Sequence, residues 1–140
     1  MKILFAADGS KYTKKALAFL TTHENLAGPE DEVVVLNVQA PMPPRVKTMV
    51  GAAVVNDYHR DEAQKVLDPI GRFLKRHDVQ FKTSWLVGSP VQEILRAAKR
   101  EKAHMIVMGT HGHGLLSRAL LGSVAQRVLS DCDIPVLLVQ

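Results

Sequence analysis

Apolar positions along the chain gather into five short runs: residues 3–6, 32–38, 79–87, 105–109 and 134–139. Four of them are almost continuously apolar, as parallel strands covered on both faces require. The run 79–87 alternates in part, which puts it nearer a sheet edge. Between the runs the hydrophobic period lengthens to that of a helix. Ala16, Phe19 and Leu20 mark a first helix. Ala63, Val66, Leu67, Ile70 and Leu74 mark a long one over residues 53–77, in which Pro69 predicts a kink. Val91, Ile94, Leu95 and Ala98 share the face of another helix, and Val124, Ala125, Val128, Leu129 and Cys132 that of the last. Ser89 and Pro90 supply a cap and a first helical residue for the third helix, with Gln92 completing a capping box. Five strands alternating with four helices, joined by right-handed crossovers, predict an α/β fold: a three-layer, doubly wound, parallel five-stranded sheet. The segment 39–53, rich in proline and without periodicity, reads as a surface excursion after the second strand.

A chain of 140 residues with 46% hydrophobic and 23% charged positions is one globular domain, 1–140, able to bury a core without disulfides. No apolar stretch reaches the length of a membrane span, and the first residues lack the pattern of a secretory leader. One cysteine, Cys132, agrees with a reducing compartment, so the expected location is the cytoplasm. The net charge of +4 raises nucleic acid as a partner. Yet the lysines and arginines lie scattered among acids, with no basic run beside stacking aromatics, so no nucleic acid and no membrane is expected.

Ligands of such sheets bind beyond the carboxyl ends of the strands, at the point where strand order reverses. Three stretches fall there: Ala6–Ser10 after the first strand, Asn37–Pro41 after the second, and Gly109–Gly114 after the fourth. Gly109 and Gly112 allow the main chain unusual conformations and a close approach of its N–H groups to a ligand. Gly122 and Ser123 open the last helix, whose first N–H groups lack internal partners and carry the positive end of the helix dipole. Two such N–H-rich segments facing one crevice suit a phosphate chain. The same glycines also suit plain tight turns, and Ser123 plain helix capping. Asp8 in "DGS" is both ordinary turn chemistry and a candidate ligand by its place at the crevice.

The spacing Gly109, Gly112, Gly122, Ser123, followed by "VAQRVLSDCDIPVLLV" and preceded at the N-terminus by "ILFAADGS", resembles the universal stress protein family over essentially the whole chain. That resemblance implies a flavodoxin-like or adenine nucleotide alpha-hydrolase-like sheet of order 3-2-1-4-5 that binds ATP. On the same likeness Asp8, beside Ala7, holds the ribose or a metal–phosphate region that includes Mg²⁺. Val38 meets the adenine through its backbone, and Gly109, Gly112, Gly122 and Ser123 hold phosphates, flanked by Met108 and Val124. Where many relatives carry arginine and serine after the second glycine, this chain has His113 and Gly114. A histidine at that place makes phosphate affinity rise on acidification, as the ring takes up a proton.

Other chemistries find less support. His104, His111, His113 and Cys132 lack the spacing of a zinc site. No Walker lysine motif occurs, and the glycine loop carries no carboxylate to orient a water, so fast hydrolysis is not expected. The predicted protein is an ATP-binding stress-response sensor or partner-binding switch with an unknown protein partner. It would be a homodimer through Ile134–Val139, whose apolar edge a second copy would cover. The alternatives are a slow nucleotide hydrolase or adenylyl-transferring enzyme using the same crevice, and a dimeric interaction module with no nucleotide.

Overall fold

The computed structural model describes residues 1–23, 25–113 and 120–140. Gly114 and Arg118, the latter close enough in sequence to the glycine loop to reach inward, lie outside the described residues. Strands β1 (Lys2–Ala6), β2 (Glu32–Gln39), β3 (Gln80–Val87), β4 (Met105–Gly109) and β5 (Val136–Val139) form one sheet of order β3-β2-β1-β4-β5. All four neighbouring pairs are parallel. Helices α1 (Lys11–Thr22), α2 (Pro44–Val50), α3 (Ala52–Arg76), α4 (Pro90–Arg100) and α5 (Ser123–Asp131) connect them. The doubly wound expectation holds, with β3 at an edge.

Alternation along the strands divides the core into two layers. Ile3, Phe5, Val33, Val35 and Val107 pack with α1 and α3 on one face. Leu4, Val34, Leu36, Ile106 and Met108 pack with α4 and α5 on the other. Most of these side chains are fully buried, each worth about 1.5–3 kcal/mol against exposure. The polar residues Asn37 and Gln39 continue the first of these faces beyond the apolar core.

Local chemistry sets the element ends. Asp8 Oδ1 accepts the Ser10 N–H at 2.9 Å, an Asx turn, and Ser10 Oγ then caps α1 by accepting from the Thr13 N–H. Gly9 between them sits at φ +81°, and a Cβ there would meet Val66 of α3 at 3.0 Å. The long helix runs on through Pro69 to Arg76. Helices α3 and α4 both end in Schellman motifs whose left-handed residue is not glycine: Asp78 at φ 54° and Lys102 at φ 53°. Val79 N–H reaches the Leu74 carbonyl and Ala103 N–H the Ala98 carbonyl to close them.

Several expectations are corrected. The excursion after β2 contains a helix, α2, started by Pro44 in its first turn and stopped at Gly51. In α1 the buried face includes Leu17, with Phe19 half-buried and stacked on His23 at 3.9 Å. Leu129 of α5 points to solvent. The capping box of α4 does not form: Ser89 is the N-cap but makes no side-chain cap bond. Strand β5 starts at Val136, because Pro135 offers no N–H to the ladder.

Candidate functional site

At the carboxyl end of β1 the chain turns sharply. Asp8 N–H donates to Thr13 Oγ1 at 3.1 Å, and that hydroxyl donates back to Asp8 Oδ1 at 2.8 Å. With Ser10 N–H on the same oxygen, Oδ1 is fully used. Oδ2 lies against Gly112, where a Cβ would stand 2.8 Å from it. Ala7 is held on both sides: its N–H donates to the Leu36 carbonyl at 2.9 Å, and its carbonyl accepts from Asn37 Nδ2 at 2.9 Å.

Between β4 and α5, Gly109 and Gly122 are required by packing. Among the described residues, positive φ at glycine occurs only at Gly9 and Gly51, so Gly109 and Gly112 do not serve the unusual conformations expected of them. A Cβ on Gly109 would lie 2.5 Å from Tyr12 Cβ and 3.1 Å from the Tyr12 carbonyl carbon. One on Gly122 would lie 3.1 Å from the Thr110 carbonyl oxygen and 3.2 Å from His111 Cα. The close approach at Gly122 serves a hydrogen bond, Gly122 N–H to the Thr110 carbonyl at 2.8 Å, which pins the start of α5 to the strand end. Gly122 is the N-cap and Ser123 the first helical residue, so Ser123 does not cap the helix with its side chain. His111 is buried. Its Nδ1 lies 2.8 Å from Thr110 Oγ1, its Nε2 meets the Leu120 carbonyl, and its ring packs at 4.9 Å on Tyr12.

These turns enclose a cavity of about 260 Å³ over the carboxyl ends of β1 and β4, roofed by Pro90 and Ile94 of α4 and by the start of α5. Ala7, Asp8, Val38, Met108, Gly109, Gly112, Gly122, Ser123 and Val124 all line it. His113 does not. Its Nε2 sits 2.7 Å from the Asp8 carbonyl oxygen, bridging the β1 and β4 loops beside the cavity. The N–H groups of Ser123, Val124 and Ala125 belong to the first turn of α5, where intrahelical acceptors are missing, and all three residues line the cavity. The wall also contains Thr13 and Thr110, which the sequence did not single out, and His111, weighed there just as a metal ligand. Thr13, three residues after the Ser10 cap, carried a usable signal. His111 carried none beyond its place in the glycine loop.

A cluster of shifted charges lies at the opposite end of the sheet. Lys82 Nζ, 2.8 Å from Glu101 Oε2, holds that carboxyl below its usual range, while Glu101 raises the lysine in turn. Lys2 and Glu32 complete the cluster at 3.7 and 4.0 Å.

Fold and cavity together define a doubly wound α/β protein with its crevice where strand order reverses about β1 and β4. The sequence profile of the universal stress protein family matches residues 1–140, and the chain belongs to that family. A universal stress protein of Thermus aquaticus is 32% identical over 139 residues, covering 99% of this chain and 97% of the relative. Universal stress protein MJ0531 of Methanocaldococcus jannaschii is 38% identical over 87 residues, covering 62% of this chain and 51% of the relative, so the match spans about half of that protein's length. The solved structure of MJ0577, from the same archaeon, superposes with a TM-score of 0.82 at 29% identity, covering 99% of this chain and 94% of that one. No helix among the described residues is long and apolar enough to cross a membrane.

Proposed function

We propose that the crevice binds ATP and that the protein works as a nucleotide-dependent switch for a protein partner. The observation that carries this reading is the convergence of the free first-turn N–H groups of α5 with Gly112, whose missing side chain leaves room beside Asp8 Oδ2. Fixed N–H dipoles at a helix start favour phosphate. The hollow between Val38 and Met108 offers an apolar bed for a base. The residues therefore fit an adenine nucleotide, with Ala7, Asp8 and Val38 toward the nucleoside and Gly109, Gly112, Gly122, Ser123 and Val124 toward the phosphates. Two fold neighbours add support at the level of the architecture: a universal stress protein in complex with cAMP, at 19% identity, and an Arabidopsis thaliana family member with AMP bound, at 16%.

Asp8 is the one carboxylate among the described lining residues. It would hold Mg²⁺ only jointly with the phosphates themselves. With no second carboxylate to orient a water, turnover should stay far below the roughly 10 per second of typical enzymes. Among the described residues strand β5 pairs only with β4, and pairing of its outer edge with a second copy fits a cytoplasmic homodimer. Mass analysis of nucleotide co-purifying with the protein, followed by titration calorimetry with ATP, tests the reading. A bound adenylate and a Gly122→Val variant that loses it are expected. Wild-type protein that takes up no adenine nucleotide refutes it.

A further inference from the structure

On the face of the sheet opposite the cavity, one polar chain crosses an otherwise apolar layer. Gln39, at the end of β2, grips His59 of α3 at two points: its Nε2 donates to the His59 carbonyl at 2.7 Å, and its Oε1 lies 2.7 Å from His59 Nδ1. Gln39 Nε2 also donates to Asn37 Oδ1 at 3.3 Å, and Asn37 Nδ2 donates to the Ala7 carbonyl. His59 and Asn37 are 4% and 5% exposed. Because the Gln39 amide nitrogen is the donor in both of its bonds, Oε1 must accept, which makes His59 Nδ1 the protonated nitrogen of the ring. Nε2 is then left as a bare acceptor, buried and without a partner among the described residues. A ring carried for bulk alone would be better as leucine. This one leaves a polar atom unsatisfied and keeps its other nitrogen on Gln39.

We propose that Gln39 and His59 are positioning residues for the crevice, acting through Asn37 to fix the Ala7 carbonyl and so the turn that carries Asp8. The proposal rests on the nucleotide reading for its functional meaning. It also ties the 39–53 excursion to the site, since α3 follows that excursion directly and is fastened here to the strand end.

The test uses the full chain and ATP. His59→Leu keeps the bulk and removes the donor, whereas His59→Asn puts an amide nitrogen where Nδ1 stands and leaves more empty space. His59→Leu and Gln39→Leu should each weaken ATP binding roughly tenfold, the effect of losing about one well-placed contact. Amide hydrogen exchange should rise by a similar factor at Ala7 and Asp8 and stay unchanged at Ile106 and Val107. His59→Asn should recover most of the affinity and the protection despite its lost volume. Wild-type affinity and exchange in both leucine variants would overturn the proposal. So would exchange that rises equally in β4, or an asparagine variant no better than leucine. If wild-type protein takes up no ATP, the nucleotide reading fails by itself. The exchange data then decide this proposal: a rise confined to Ala7 and Asp8 upholds it, and no rise there overturns it.

Discussion

The main chain of Gly109 lies so close to Tyr12 that a methyl group on the glycine would stand 2.5 Å from Tyr12 Cβ. The obstacle is the stem and backbone of the tyrosine, not its movable ring. Gly109→Ala should therefore cost about 1–3 kcal/mol, the usual penalty of overpacking, read from urea unfolding midpoints. Tyr12→Ala in the same chain should restore none of it, because Cβ and the carbonyl carbon remain. Recovery in the double variant would show that the ring was the obstacle.

His113 donates to the Asp8 carbonyl through Nε2, tying the β4 loop to the β1 turn beside the crevice. His113→Ala removes that tie and should weaken ATP binding by less than about tenfold, as for one exposed hydrogen bond. His113→Gln keeps a donor near the Nε2 position and should recover most of the affinity in titration calorimetry. Equal affinities in wild type and both variants would show that the tie does nothing for the site.

The Lys82–Glu101 pair should make a small, pH-bounded contribution to stability. Glu101 titrates below its ordinary value of 4.5 in the folded chain, chiefly through the Lys82 hydrogen bond. A lowered carboxyl stabilises the fold fully above its unfolded value and loses that contribution as pH falls through the folded one. Glu101→Gln should thus melt slightly below wild type near neutral pH, with the gap closing once the medium is more acid than the folded value. The half-exposed lysine keeps the gap small, and added salt should narrow it further.

Lys102 closes α4 in the left-handed region at φ 53°, a conformation that costs a side-chain-bearing residue about 1–2 kcal/mol. Replacing it by glycine removes that cost, less the extra chain entropy of glycine, about 0.5–1 kcal/mol. Lys102→Gly should raise stability by roughly 0.5–1 kcal/mol in thermal or urea unfolding. A loss of stability would mean that the lysine side chain contributes more than its backbone costs.

What the pattern of residues revealed, and what it hid, follows physical lines. Nearly continuous apolar runs announced four strands covered on both faces, and the partial alternation of the fifth announced the edge position of β3. Helix ends were less so, because α3 and α4 close on Asp78 and Lys102 where glycine would have flagged the stop. Helix α2 was hidden by its prolines, although Pro44 followed by Val46, Met49, Val50 and then Gly51 is a start, a stripe and a stop. In the crevice, the stretches that end on strands could be placed by topology alone. The Gln39–His59 grip could not, because its partners stand 20 residues apart and no spacing rule joins a strand-end amide to a helical imidazole. Only Asn37, a polar interruption in an apolar strand, marked that something on that face needed an answer.

The crowding around Gly109 and Gly122 bears on how kindred sequences are sorted. Both positions are held vacant by the polypeptide's own neighbouring atoms, so a relative would be penalised for filling either one whether or not its crevice holds a ligand. Among the described residues a Cβ on Gly112 would meet just the Asp8 carboxylate tip, at 2.8 Å, so filling it asks one side chain to shift and no main chain, and a side chain there is the better mark of a changed pocket.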